Sequence, residues 1–230
     1  GPLDGGTAVY LYLADSRLLV DLGGELYGPA CRFSYSEPSP SRDHVIARTL
    51  LVRANLTSCS GQRDCGAGWG AMACVAPQYT GPLDINGAAD VVVEVTINGQ
   101  DFTSSGRTFR YYDPATWRVS SFLPSGGPLT GNTSIQIYGQ FLQVLGDVRC
   151  RFGDHPLASD TKATLLSAVR ATCVSPHHWD TTDGVKHVEV QLTLNGQHYL
   201  RFGTQAKLFT FYALDQPTYG LSVRSLTPSG

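Results

Sequence analysis

The sequence has little charge, a single methionine and no long apolar run. Asp, Glu, Lys and Arg together make up 16% of its 230 residues, and the formal net charge is −2, whereas charged residues make up roughly 25% of an average globular chain. A protein that binds nucleic acid through phosphate contacts carries a basic excess, so this composition argues against a nucleic-acid partner. Because no run of about 18 apolar residues occurs, the sequence predicts no membrane-spanning helix.

Patterns that would indicate catalysis or a metal site are also missing. The sequence contains neither a GxSxG nucleophile elbow nor a GxxxxGK[ST] phosphate loop. Possible metal ligands cluster at residues 177–183 (HHWDTTD) and 84–90 (DINGAAD), but neither cluster has the full spacing of a known metal loop, and both are typical of turns. We therefore predict a protein that is not an enzyme and has no metal or cofactor.

Cysteine is the residue whose number carries the most information. The count is even and no CxxC pair occurs, which favours disulfides over a zinc site. The six cysteines are Cys31, Cys59, Cys65, Cys74, Cys150 and Cys173. N-glycosylation sequons begin at Asn55 and Asn132. Paired cysteines together with sequons predict an extracellular protein, either secreted or at the cell surface.

A stretch rich in serine and proline adds a second kind of modification site. Ser36, Ser39 and Ser41 lie beside two prolines. Because serines flanked by prolines are typical acceptors for O-linked sugars, we predict these three residues as possible O-glycosylation sites. Covalent glycans are therefore expected on this chain.

Strand patterns dominate the sequence, whereas the best helical stretch, residues 162–169, is short. In residues 186–194, Val188, Val190, Leu192 and Leu194 alternate with polar residues, which predicts a strand with one buried and one solvated face. Short strands separated by Gly, Pro, Asn and Asp turns predict an all-β protein built of antiparallel sandwiches.

An internal repeat divides the chain into two copies, with a border near Thr116. The Val-rich segment at 91–99 and its counterpart at 188–196 both end in Asn-Gly, and the triplet Cys-Arg-Phe occurs at 31–33 and 150–152. Since equivalent cysteines should form equivalent bridges, we predict disulfides Cys31–Cys74 and Cys150–Cys173. Cys59–Cys65 would close a small extra loop in the first copy.

The two ends of the chain complete the repeat. Residues 223–230 (VRSLTPSG) followed by residues 1–7 (GPLDGGT) match the internal stretch 119–133 (VSSFLPSGGPLTGNT) without a gap. We therefore expect a domain at 1–116 that lacks its own first strand, a complete domain at 117–218, and the first strand of a further repeat at 219–230. Val223, Ser225, Leu226 and Pro228 would complete a neighbouring 1–116 domain by strand addition.

Two arrangements would supply the missing first strand of the 1–116 domain and a partner for the strand at 219–230, and two other arrangements remain open. The 230 residues are either one period of a longer covalent array, or a subunit that joins copies of itself head to tail. Closure of the tail onto its own head, and an arbitrary boundary within a multidomain receptor, are the alternatives.

The order of motifs resembles the IPT/TIG domain. A Gly-Gly-Pro-Leu-x-Gly-x-Thr turn is followed by Cys-x-Phe, by a second Cys-x-x-Pro, by a Val-rich strand ending in Asn-Gly, and by a closing Phe-x-Tyr strand. The resemblance covers both copies; residues 117–217 are the cleaner match, and the first copy has an insertion at 34–70. It implies tandem immunoglobulin-like β-sandwiches with a scaffold or binding role and no catalytic machinery.

These observations predict an extracellular structural protein, the repeating unit of a glycosylated head-to-tail surface fibre or tandem-repeat stalk. The alternative is an ectodomain fragment of a cell-surface receptor or adhesin that binds a protein or glycan ligand. A long exposed aromatic patch would favour the receptor, and serial contact of tail with head would favour the fibre.

Overall fold

The computed structural model describes residues 1–13, 28–41, 43–58, 70–153, 159–178, 184–202 and 207–214. Within these ranges the chain forms strands, turns and irregular segments, and no helix there is long and apolar enough to cross a membrane. The chain divides into two compact units, which we call unit 1 (Gly1–Asp113) and unit 2 (Pro114–Gly230). The prediction of an all-β fold is confirmed.

Unit 1 is an immunoglobulin-like sandwich whose two sheets are antiparallel. The described strands are β1 (Ala8–Leu13), β2 (Ala30–Pro38), β3 (Val45–Arg53), β4 (Asn55–Ser58), β5 (Gly70–Val75), β6 (Ala88–Thr96) and β7 (Thr108–Tyr112). One sheet has the order β1-β5-β4, and the other has the order β3-β2-β6-β7. Residues that alternate along these strands, such as Val91, Val93 and Val95, are buried between the sheets.

Unit 2 repeats this architecture with further strands. They are β8 (Arg118–Leu123), β9 (Gly126–Pro128), β10 (Ser134–Gln140), β11 (Arg149–Phe152), β12 (Ser159–Ser167), β13 (Arg170–Val174), β14 (Val185–Thr193), β15 (Tyr199–Leu200) and β16 (Leu208–Tyr212). Hydrogen bonds link them in the order β8-β10-β13-β12-β11-β14-β16-β9, with β15 beside β14. The path is continuous because β12 pairs with β11 at one end and with β13 at the other.

A buried alanine marks the crossing between the layers in each unit. Ala163 of β12 lies where pairing changes from β11 to β13, and its N–H donates to the carbonyl of Val148 at 2.9 Å. In unit 1 the equivalent is Ala54, between β3 and β4, and its N–H donates to the carbonyl of Pro29 at 2.9 Å. Both alanines are buried, so the crossing point lies inside each unit.

A disulfide links the two sides of each sandwich through its core. Cys31 of β2 is bonded to Cys74 of β5, and Cys150 of β11 is bonded to Cys173 of β13. The Cα atoms are 6.3 Å apart in both bridges, and all four cysteines are buried. These are the two pairings expected from the repeat, whereas Cys59 and Cys65 lie outside the described residues.

The correspondence between the units extends to strand register and to hydrogen bonds in loops. β1 pairs with β5 so that Val9 faces Cys74, and β10 pairs with β13 so that Ile135 faces Cys173. Loop hydrogen bonds recur at equivalent places. The Ala76 N–H donates to the Thr7 carbonyl at 2.8 Å, and the equivalent Ser175 N–H donates to the Thr133 carbonyl at 2.9 Å. The Tyr79 N–H donates to the Leu3 carbonyl at 2.8 Å, and the equivalent His178 N–H donates to the Leu129 carbonyl at 2.9 Å. The sequence repeat is therefore also a repeat of backbone geometry.

Candidate interaction edge and modification sites

A short parallel pairing precedes β1 in unit 1 and β10 in unit 2, and glycine makes it possible. In unit 2, β9 runs parallel to β16, with Gly127 opposite Phe211. In unit 1, Pro2 forms a parallel bridge with Tyr112. A Cβ on Gly127 would overlap the hydroxyl of Thr133, and a Cβ on Gly1 would overlap that of Thr7. The shared Gly-Pro-Leu motif is thus explained by the close approach of the chain to the following Thr.

Unit 2 has a complete edge next to β10. β8 runs antiparallel to β10, with Phe122 opposite Ile137 and Val119 opposite Gly139. Val119 and Phe122 are buried, and the Phe122 ring meets the Phe202 ring edge-on at 5.1 Å between centroids. β8 therefore covers the core of unit 2 as well as the edge of β10.

The equivalent edge of unit 1 is formed by β1, the terminal strand of its three-stranded sheet among the described residues. Val9 and Leu11 of β1 are only half-buried, although their equivalents in β10, Ile135 and Ile137, have no exposed surface. Tyr10 is 44% exposed. The described part of unit 1 thus covers this side of its core less completely than unit 2 does.

The four residues predicted to form the inter-unit strand lie outside the described residues. They are Val223, Ser225, Leu226 and Pro228. Their pairing with a 1–116 domain stays a prediction.

Both sequon asparagines are exposed. Asn55 is the first residue of β4 and pairs with Ala73 of β5. Asn132 lies in the turn before β10 and has a φ of 63°, a left-handed conformation that asparagine tolerates better than most residues. Each side-chain amide is therefore accessible to a glycosyltransferase, and the glycans themselves stay predictions.

The three candidate serines are not equivalent. Ser36 and Ser41 are exposed, but Ser39 is only 3% exposed and its hydroxyl donates to Asp43 Oδ1 at 2.8 Å. Hydrogen bonds from Ser41 and then Ser39 lower the pKa of Asp43 to about 2. Ser39 is therefore less accessible than the other two serines, and O-linked sugars at all three stay a prediction.

Where the structure describes the possible metal ligands, their side chains form hydrogen bonds or packing contacts within the protein. Asp84 Oδ1 accepts hydrogen bonds from the backbone N–H of Asn86 at 2.8 Å and of Ala88 at 2.9 Å, which fixes a turn. The His178 ring packs edge-on against Phe211, 5.0 Å between centroids. Within the described ranges, no group of three His, Cys, Asp or Glu side chains is placed to hold a metal.

An arginine next to the core cysteine stacks on an aromatic ring in both units, which sequence reasoning missed. In unit 2, Arg151 donates to Asp160 at 2.8 and 3.0 Å and lies 3.6 Å from the centre of the Tyr199 ring. In unit 1, Arg32 pairs with Glu94 and lies 3.9 Å from the centre of the Phe102 ring. The repeated Cys-Arg-Phe triplet is the signal that could have pointed to this arginine.

Tyr199 adds a hydroxyl to this cluster that unit 1 lacks. It accepts a hydrogen bond from Arg151 Nη2 at 2.8 Å and donates one to Asp160 Oδ2 at 2.7 Å. Burial, followed by the hydrogen bond to Asp160, raises the pKa of Tyr199 to about 12. The hydrogen bonds from Arg151 hold the pKa of Asp160 below its ordinary value.

Comparison with known proteins identifies part of the chain. Residues 118–211 match the IPT/TIG domain family. No curated protein matches the chain. A solved structure of the Plexin A4 full extracellular region, domains 1 to 10, is similar over 93% of this chain, with 17% sequence identity and a TM-score of 0.54. A second Plexin A4 extracellular structure, with domains 1 to 8, covers 95% of this chain at 12% identity and a TM-score of 0.30.

The extent of these matches limits what they show. This chain spans 15% of the first Plexin A4 structure and 26% of the second, and at 17% identity the likeness shows the fold alone. The family match covers most of unit 2, with β8 at its start and β16 at its end. The IPT/TIG family match therefore concerns residues 118–211 alone, in a chain whose fold is that of immunoglobulin-like β-sandwiches.

Proposed function

We propose that this chain is a segment of the extracellular part of a cell-surface receptor or adhesin. Its sandwiches act there as non-catalytic modules that bind a protein or glycan ligand and hold such binding sites away from the membrane. The observation that carries this proposal is the pair of disulfide-linked sandwiches with matching registers, the second of which matches the IPT/TIG family. The similar fold of the Plexin A4 extracellular region supports it.

The chemistry of the surface is consistent with this role. Two buried disulfides are stable in an oxidising compartment and are rare in the cytosol. Asn55 and Asn132 are both exposed within their sequons, as N-linked glycans require. A net charge of −2 supplies no basic excess for phosphate contacts.

The fibre repeat predicted from the sequence receives less support than the ectodomain. Neither the IPT/TIG match nor the Plexin A4 likeness concerns a filament. The fibre depends on the match between residues 223–230 and 119–126, which is a separate observation.

Secretion of the 230-residue chain from a eukaryotic cell line tests the extracellular part of the proposal. Peptide mapping by mass spectrometry should find the linked peptides Cys31–Cys74 and Cys150–Cys173, and glycans at Asn55 and Asn132. The variants Asn55→Gln and Asn132→Gln are the matched controls, because each should lose one glycan and keep both disulfides. Free thiols at the four core cysteines of the secreted chain would refute an extracellular location.

Binding to cells and to immobilised glycans tests the ligand-binding part. The folded, oxidised chain should bind one of these surfaces saturably, and a chain unfolded by reduction should not. If the oxidised chain binds neither, it is a spacer without a recognition site and the binding role is wrong. Because this outcome leaves disulfides and glycans unchanged, the two parts of the proposal fail separately.

A further inference from the structure

β3 is a long sheet edge whose outer side has no strand beside it in the described part of the chain. It is the terminal strand of the sheet β3-β2-β6-β7, and it pairs with β2 along all nine of its residues without a bulge. β2 itself pairs with β6 only from Ala30 to Ser34, so the hairpin of β2 and β3 projects beyond the rest of the sheet. A long, regular edge of this kind is a template for another strand.

The equivalent edge in unit 2 is short and charged. There β12 pairs with β11 over only four residues, 159–162, before it crosses to β13. Asp160 and Lys162 lie on that edge, and short length and charge are features that prevent the addition of a strand. β3 contains neither proline nor lysine, and its most exposed large apolar side chains are Val45 at 68% and Leu51 at 61%.

Hydrogen bonds at both ends of β3 indicate which of its backbone groups point outward. The N–H of Ser39 donates to the carbonyl of His44 at 2.9 Å, just before β3 begins. The N–H of Ala54 donates to the carbonyl of Pro29 at 2.9 Å, just after β3 ends. Because hydrogen-bonded and non-hydrogen-bonded positions alternate along an antiparallel pair, the odd-numbered residues of 45–53 direct their N–H and C=O groups away from β2.

This alternation restricts how a second β3 can pair with the edge, because odd-numbered residues must face odd-numbered residues. One allowed antiparallel register has Arg48 on a two-fold axis and places Leu51 opposite Val45 of the second copy. By symmetry this apolar contact forms twice, and it removes the two exposed apolar side chains of each β3 from water. With the axis at Thr49 instead, Val45 would face Arg53 and the contact would be lost.

Charges at the two ends of β3 favour the same register. Arg53 is exposed and has no acidic partner among the described residues. Asp43 is exposed beyond the other end, and three neighbouring side chains bond to its Oδ1, which leaves Oδ2 open within the described chain. With Arg48 on the axis, Arg53 of each copy faces Asp43 of the other, so that two ion pairs fix the register.

One contact opposes this arrangement, and an ion pair within each copy offsets it. Arg48 would meet Arg48 of the second copy across the axis, and like charges directly opposite each other are destabilising. Each Arg48 is already paired with Glu37, whose Oε1 accepts a hydrogen bond from the arginine Nε at 2.6 Å. The four side chains together therefore carry no net charge.

From these observations we propose that two copies of this chain pair through the outer edges of β3, antiparallel and with Arg48 on the two-fold axis. Main-chain hydrogen bonds would join the β3-β2-β6-β7 sheets of both copies into one continuous sheet. Because each copy presents the same edge, the contact is isologous and closes as a dimer. The proposal is independent of the receptor or adhesin role, since it uses only the edge of unit 1.

Self-cross-linking of single-cysteine variants tests the pairing and its register. A symmetric dimer brings a residue close to its own copy only on the axis, so the full-length Arg48→Cys chain should form a disulfide-linked dimer under mild oxidation. Ala47→Cys and Thr49→Cys are the matched controls. Their Cα atoms would lie about 8 Å from those of their own copies, beyond the reach of a disulfide, so both should cross-link at least tenfold less on a non-reducing gel.

A proline on the outer edge tests the main-chain bonds. Thr49→Pro removes an N–H that points away from β2, so the β2–β3 ladder keeps its hydrogen bonds and the unfolding temperature should stay unchanged. In the dimer this N–H would donate to Ala47 of the second copy. The dissociation constant of the dimer, measured by sedimentation equilibrium, should therefore rise at least tenfold by loss of the two symmetric bonds.

A charge exchange tests the register without changing the backbone. Arg53→Glu and Asp43→Lys should each weaken the dimer, because like charges then face each other at both ends of the ladder. A mixture of the two variants should form a dimer again, since opposite charges face each other at both ends of the mixed pair.

Three outcomes would overturn the proposal. Equal cross-linking by the three cysteine variants would show collision without a register. A parent chain that stays monomeric at about 0.1 mM would show that β3 does not bind a second copy. If that monomer binds cells and loses this binding with Thr49→Pro, the edge accepts a strand of a different protein.

Discussion

Units 1 and 2 share a core and differ at the edge next to it. Both have the inter-sheet disulfide, the buried crossing alanine and the stacked arginine at equivalent places. Among the described residues, β10 of unit 2 has β8 on the side that faces away from β13, whereas its equivalent β1 in unit 1 is the last strand of its sheet. The shared features stabilise the sandwich fold itself. The sheet edge differs between the units, and it is there that a partner could bind to one unit and not to the other.

Substitutions at paired positions in the two units can separate what the shared core contributes to stability from what the edge contributes.

The largest expected effect is the loss of a disulfide. The bridges span 43 residues in unit 1 and 23 in unit 2, so the chain-entropy estimate gives about 4 and about 3 kcal/mol respectively. We expect Cys31→Ala with Cys74→Ala to destabilise unit 1, and Cys150→Ala with Cys173→Ala to destabilise unit 2. Hydrogen exchange resolved by peptide measures each unit separately.

The matched pair of double variants is its own control. Each double variant should increase hydrogen exchange in its own unit and leave the hydrogen exchange of the other unit unchanged within error. Equal loss of protection in both units from either pair would show that they unfold as one cooperative body.

A smaller effect should follow from truncating the equivalent residues Ile137 and Leu11. Ile137→Ala removes a fully buried side chain and should cost about 3 kcal/mol of unfolding free energy. Leu11→Ala removes a half-buried one and should cost about half as much. Urea unfolding of both variants at low protein concentration measures the difference, and equal costs would mean that the edge of unit 1 is as well covered as that of unit 2.

The sequence was sufficient for the fold and for the pairing of the core cysteines. Alternating residues such as Val188 and Val190 predicted strands, and the repeated Cys-Arg-Phe triplet made Cys31 equivalent to Cys150. These inferences succeed because the local alternation of apolar residues determines which face of a strand is buried, and local turn residues determine where the chain reverses.

Side-chain partners across the sheet could not be predicted in this way. Tyr199 meets Asp160 from 39 residues away and Arg151 from 48 residues away, and no local pattern encodes such a contact. The Ser-Pro composition suggested three exposed serines, but it does not show that the Ser39 hydroxyl turns inward to Asp43. Composition reports a tendency, and the direction of one side chain depends on the tertiary structure.

The smallest change in stability is expected from substituting Tyr199, which stacks on Arg151 as Phe102 stacks on the equivalent Arg32. Tyr199→Phe removes a hydroxyl that bonds both Arg151 and Asp160, which should cost about 0.5–1 kcal/mol because the cluster is partly exposed. It should also raise the pKa of Asp160, since a hydrogen bond to its charged form is lost. The stability that Asp160 contributes is present above its unfolded pKa and is lost as pH falls, so in the variant that loss should begin at higher pH.

An NMR titration of the Asp160 carboxyl measures this shift directly, and Phe102→Tyr in unit 1 is the reciprocal control. The added hydroxyl of that variant should lie near the Arg32–Glu94 pair and stabilise unit 1 by a similar amount. If Tyr199→Phe leaves the Asp160 midpoint unchanged, the guanidinium alone holds that carboxylate. The two arginine sites would then be equivalent despite their different rings, and the difference between the units would be confined to the β1 edge.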